Sequence, residues 1–251
     1  MFRSLAVLGA ALAAVAIAAE TASAAGGLSV SPAVFQTTAR AGATGGATIT
    51  NTSSRKLRVT VRARPWRQKS DGTVTANRSR TLGGVSVTSS RFTLAVGASR
   101  TVSIRLNRVP ARRSQYGALD ILGKPVKRRK GINVAYRLVS SLRFNPAAGK
   151  RKLRLATGRA GTVGRGSHKK LAVKVRNRGN TVDPVGGTVS ITGPGGGRSG
   201  GISPKSIVPG HAIKLRVLGL SGMRKGRYTA AITLAQAGRN IVSVTRHFRI
   251  R

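Results

Sequence analysis

The chain has 251 residues, in which 46 Lys and Arg face 4 Asp and Glu, for a net charge of +42. With no cysteine it can form neither a disulfide nor a thiolate metal site. Four acids are too few for a convincing catalytic carboxylate pair, whereas so large a cationic excess repels itself and draws polyanions at low salt.

From the N-terminus, Arg3 is followed by an apolar run of small residues, Leu5 to Ala19, and then by Ala22-Ser23-Ala24, a small-x-small cleavage pattern. Residues 1–24 are therefore expected to be a signal peptide, and no later stretch approaches the roughly 20 apolar residues of a membrane span. The rest reads as β throughout. Apolar residues alternate at Leu57, Val59, Val61 and Ala63; at Val102, Ile104 and Leu106; at Leu171, Val173 and Val175; and at Ile213, Leu215 and Val217. Period two marks strands with one buried face, and the frequent Gly and Pro mark turns between them. The positions in between carry Arg58, Arg62, Arg64, Arg105, Lys174, Arg176, Lys214 and Arg216, so the cations are expected on the solvent faces.

A weak internal repeat runs through this pattern. "TITNTSSRKLRV" matches "VKVRNRGNTVDPVGGTV", each read as a strand–turn–strand hairpin. "FTLAVGASRTVSIRL" matches "SIVPGHAIKLRVLG", and "QYGALDI" matches "GRYTAAITL", with Tyr116 and Tyr228 each opening a late strand. A Tyr there suits either the tyrosine corner of immunoglobulin-like sandwiches or simple packing. Three matches in one order predict an all-β fold of two tandem immunoglobulin-like β-sandwich domains, residues 25–147 and 148–251. The boundary falls near "FNPAAGKRK".

Candidate chemistry is sparse. Asp71 precedes Gly72 and Asp183 precedes Pro184, both turn contexts. His168, His211 and His247 lack ligand spacing, so no metal or cofactor is expected. Gly195, Gly197 and Gly200 match G-x-G-x-x-G, but "ISPKSIVPGH" follows where a dinucleotide site needs a helix, so this is expected to be a loop. Scarce aromatics leave no stacking platform for single-stranded nucleic acid. Trp66 is expected in a core or at a domain junction. Lys124, Lys127, Arg128, Arg129 and Lys130 gather before a strand starting at Ile132, and Lys150, Arg151 and Lys152 occupy the boundary. These runs are the candidate contacts for anionic polymer.

From Leu28 to Pro146 the order of features resembles the N-terminal domain of the PapD-like periplasmic pilus-assembly chaperones. The resemblance rests on "SPAVFQT", "TITNTSSRKLRVTVRARPW", "GVSVTSSRFTLAVGASRTVSIRL", "VPARRSQYGALDILG" and "GINVAYRLVSSLRFNPAAG". The remainder resembles a generic bacterial immunoglobulin-like module. The family resemblance implies a protein without enzymatic activity that holds an exported subunit by lending it a strand. Ile132, Val134 and Tyr136 take the donated apolar positions, with Arg137 beside them. In the family, two basic cleft residues anchor the subunit's C-terminal carboxylate. Pro32 and Ser141 fall at those positions, and Asn145 replaces the Arg before Pro146, leaving Arg137 or Arg143 to substitute. The expected location is secreted, periplasmic or extracellular. The alternative is a structural or adhesive envelope protein held to cell-wall polyanions by its charge.

Overall fold

The computed structural model describes residues 22–23, 26–127 and 130–251. The expected signal peptide lies outside them except for Ala22–Ser23, which form a two-residue strand, β1. Val, Ile, Leu and Thr alternation yields strands almost everywhere, interrupted by two single 3-10 turns, Ala148–Lys150 and Gly166–His168. The chain is all-β.

Two pairs of sheets enclose two separate apolar cores. The first pair opposes β1, β2 (Leu28–Ser31), β4 (Thr44–Asn51), β9 (Ser99–Leu106) and β7 (Val85–Val87) to a second sheet. That sheet runs β3 (Val34–Thr38), β11 (Tyr136–Asn145), β10 (Gln115–Pro125), β5 (Leu57–Gln68) and β6 (Val74–Ala76), with β8 (Arg91–Leu94) also on β5. Leu28, Ile49, Leu57, Val59, Ile104, Leu119, Ile121 and Phe144 fill the space between. The second pair opposes β12 (Leu155–Val163), β13 (Lys170–Asn177) and β16 (Ala212–Gly219) to β15 (Arg198–Ser206), β14 (Pro184–Thr192), β17 (Gly226–Gln236) and β18 (Arg239–Ile250). Leu171, Val173, Ile191, Leu215, Ile232 and Phe248 lie in that core.

The repeat is real in three dimensions, for β2-β4-β9 corresponds to β12-β13-β16 and β11-β10-β5 to β18-β17-β14. Its local geometry differs from the expectation. β4 and β5 belong to different sheets, as do β13 and β14, so each expected hairpin is an arch that crosses the sandwich. A buried Asn makes the crossing possible. Asn51 Nδ2 donates to the carbonyls of Arg55 (2.8 Å), Ala95 (2.9 Å) and Leu94 (3.3 Å), while its Oδ1 accepts from the Ser53 amide at 3.0 Å. Asn177 does the same in the second core, donating to Thr181 and Ile207 carbonyls, both at 2.7 Å, and accepting from the Gly179 amide at 2.8 Å. The glycine-rich segment also departs from expectation, because Gly200 and Gly201 lie within β15 and pair with β14.

In each sandwich one outer sheet face is mainly cationic and the other mainly hydroxyl, although Arg105 lies on the hydroxyl face of the first and Arg227 and Arg249 on that of the second. The outward residues of β5, β10 and β11 include Arg58, Arg62, Arg64, Lys124, Arg137 and Arg143, with Asp120 among them. The outward residues of β2, β4 and β9 form a lattice of Ser29, Ser31, Thr48, Thr50, Ser99 and Thr101, in which Thr48 bonds Thr101 and Thr50 bonds Ser99. In the second sandwich, Thr188, Ser190, Thr229, Thr233, Ser243 and Thr245 occupy the outer face of one sheet. Lys174, Arg176, Lys214 and Arg216 occupy that of the other.

Candidate strand-binding edge and interdomain cleft

The β10–β11 pair is continuous from Gln115↔Phe144 to Gly123↔Tyr136. On its other side β11 takes β3 in parallel, but only from Ser141 to Asn145. The chain switches sheets at Pro32 and Ala33, where the Ser140 hydroxyl donates to the carbonyl region of both, at 3.0 Å each. No strand among the described residues pairs with Tyr136–Ser140 on that side. The Ser141 amide points across the edge to the Ala33 carbonyl at 2.9 Å. Alternation therefore aims the amides of Val139 and Arg137 the same way, towards no strand among the described residues. This is an open sheet edge, the feature to which an extended peptide adds.

The inward face of β11 is apolar apart from the buried Ser140, and runs past the end of the core. Phe144, Leu142 and Leu138 are buried, and Tyr136 packs at the core's margin with its ring seated on Gly27. A Cβ on Gly27 would lie 2.0 Å from that ring, so the backbone there must be glycine for Tyr136 to fold in. The same phase continues to Val134, 50% exposed, and Ile132, 90% exposed. Both precede β11, which begins at Tyr136 rather than Ile132, where its pairing with β10 ends at Gly123↔Tyr136. Arg137 lies on the opposite face, where its Nε sits 3.1 Å from the buried Asp120 carboxylate.

The other end of β11 enters a cleft between the sandwiches. Trp66, Tyr116, Arg143 and Gln36 form a row across β5, β10, β11 and β3, with Trp66 stacked on Tyr116 at 6.0 Å. The Tyr116 hydroxyl lies 3.1 Å from the Asn180 carbonyl and 3.2 Å from Asn145 Oδ1, and burial raises its pKa. Tyr228 behaves differently, donating to the Arg224 carbonyl four residues upstream at 2.9 Å, as a tyrosine corner does. Gln68 ties the domains further through the Ser206 carbonyl (2.8 Å) and the Val208 amide (2.9 Å). Beside this row opens a cleft of about 420 Å³ lined by Gln36, Arg143, Asn145, Arg151, Thr181 and Asp183. Arg151 is paired with Asp183, whereas the Arg143 Nε is buried with no hydrogen-bond partner among the described residues.

Of the residues singled out in the sequence, Ile132, Val134 and Tyr136 fall in one line, and Arg137 is engaged elsewhere. Pro32 is at the sheet switch, and Ser141 pairs with Val34 in register. The two basic runs are not one patch. Lys124, Lys127 and Lys130 lie at the Tyr136 end of β11, whereas Lys150, Arg151 and Lys152 follow its Asn145 end. Arg128 and Arg129 lie outside the described residues. The row of Trp66, Tyr116 and Gln36 was not legible as a cleft wall, because it depends on the register of four strands from distant parts of the chain.

A chaperone–tip adhesin complex of CFA/I fimbriae biogenesis contains a chain that superposes with a TM-score of 0.52 at 14% identity. The superposition covers 88% of this chain and 98% of that one. The class 5 fimbriae chaperone CfaA superposes with a TM-score of 0.51, again at 14% identity over 88% and 98% of the two chains. The chain has the fold of the PapD-like chaperones. The PapD-like likeness is carried by structure, since no family model and no curated protein matches the sequence. Among the described residues no helix is long and apolar enough to cross a membrane.

Proposed function

We propose that the protein is a non-catalytic, chaperone-like binding protein of the cell envelope that holds an exported subunit by β-strand addition. We place its domains at residues 25–147 and 148–251, following an export signal at 1–24. The observation that carries this reading is the half-covered edge of β11: the Arg137 and Val139 amides face no strand among the described residues, and the apolar series runs out through Val134 to Ile132. Two large apolar side chains two residues apart beside unpaired backbone suit a groove that lacks a strand. Solvated loops seldom need them.

Arg143 is the residue that takes the subunit's C-terminal carboxylate. An unpartnered guanidinium nitrogen in a cleft between domains favours an anion that brings its own hydrogen-bond acceptors. Arg137 is already held by Asp120. Capture by strand addition rests on backbone bonds and apolar burial, so it should persist at high salt. Tagged mature protein recovered from its host and washed at low and then high salt should retain a small β-rich exported protein in near one-to-one ratio. The double variant I132D/V134D should lose that protein, and R143S should retain it less well. Equal capture by wild type and I132D/V134D would exclude this segment as the donor.

A further inference from the structure

The cationic face of the second sandwich has an arrangement that solvation alone does not account for. In the β13–β16 register Lys174 lies directly opposite Lys214, Arg216 opposite Ala172, and Arg176 opposite Ala212. The four cations therefore form a diagonal stripe, Arg216 to Lys214 and Lys174 to Arg176, with small alanines at the free corners. Like charges directly opposite on neighbouring strands are destabilising, yet no acid is interleaved with them. All four are exposed, and none makes a side-chain hydrogen bond or ion pair among the described residues. Lys214 also opens the stripe into a cavity of about 490 Å³ between the edges of β15 and β16, where Lys170, Lys205 and Arg216 join it. Asp71 is the acid on that wall, and its carboxylate is already engaged by the Thr73 amide at 2.9 Å. The outer face of the opposite sheet is mostly hydroxyl, with Arg227 and Arg249 facing each other at one end, so cations are not needed along the whole of a β-surface in this domain.

We propose that this stripe and its cavity bind a phosphate-bearing anionic polymer. The backbone beneath the stripe is already paired between β12, β13 and β16, and the stripe itself presents four cations and two alanines, the cavity's apolar lining lying to one side of it. Recognition is then ionic alone, which suits a chain carrying a phosphate at each repeat better than an acidic peptide. Residues along one strand side recur every ~6.8 Å and neighbouring strands lie ~4.8 Å apart, so three rows span successive charges of such a polymer. This site is separate from the β11 edge, so either can fail without the other.

The test uses the full mature chain and fluorescently labelled inorganic polyphosphate, titrated over a series of salt concentrations. K174S/K214S/R216S should bind at least tenfold more weakly at low salt. The slope of log affinity against log salt should flatten by up to about 2 to 3, since each lost phosphate contact removes roughly 0.7 to 0.9. R78S/R108S/R239S removes the same charge from exposed loop and strand-end positions and should weaken binding less than twofold. Equal losses in the two variants would show that net charge alone attracts the polymer, and would overturn the site. Tighter binding of polyglutamate than of polyphosphate at matched charge would overturn the ligand class.

Discussion

A carboxamide has two donor hydrogens and one acceptor oxygen, and Asn51 and Asn177 spend both kinds on the backbone. Each is fully buried at the point where the chain leaves one sheet for the other. The arch there turns carbonyls inward that no ladder can satisfy, and the side chain supplies what a strand would have supplied. Asn51→Ala should therefore cost about 3 kcal/mol of stability, from several buried groups left unpaired at once. Asn177→Ala should cost a similar amount in the second sandwich. Urea denaturation measures both, and a loss below about 0.5 kcal/mol in either would contradict this role. Asn51 and Asn177 fall at the turns of the two matching stretches, which the sequence presents as ordinary hairpins. Their chemistry is the same in a turn and in an arch; what differs is burial, which a local window does not contain.

At the level of elements, alternation located the strands and even their inward faces. Leu57, Val59 and Val61, or Leu171, Val173 and Val175, are buried as the period of two requires. Alternation did not reveal which strand pairs with which, because the pairing partner of β5 is β10, some sixty residues on. The distinction between hairpin and arch follows from that alone. Glycine marks one place where pairing constrains the sequence tightly. At the β14 bulge Gly187 has φ +139°, and a Cβ would stand 1.9 Å from the Thr233 carbonyl oxygen on β17. Backbone cannot move aside as a side chain does. Gly187→Ala should push β14 off β17 and cost on the order of 3 kcal/mol. A thermal midpoint unchanged from wild type would show that the bulge relaxes freely.

Across the whole molecule, the two halves of β11 divide the work. Its C-terminal half is sandwiched between β3 and β10 and carries Arg143 into the interdomain cleft. Its N-terminal half keeps one edge open and extends an apolar line into solvent. The apolar line was legible in "GINVAYRL", since it is local. The open edge was not, because it depends on where β3 stops. The charge was legible as a total but not as a distribution, because alternation says inward or outward and not which sheet. The central claim, that the open edge of β11 receives a partner strand, is tested most directly by amide hydrogen exchange on the isolated chain and on its complex with a captured subunit. The account predicts that the Arg137 and Val139 amides exchange readily in the free chain and become strongly protected in the complex, with protection reaching back towards Ile132. If those amides exchange equally fast in both, the subunit is held elsewhere and strand addition at this edge is wrong.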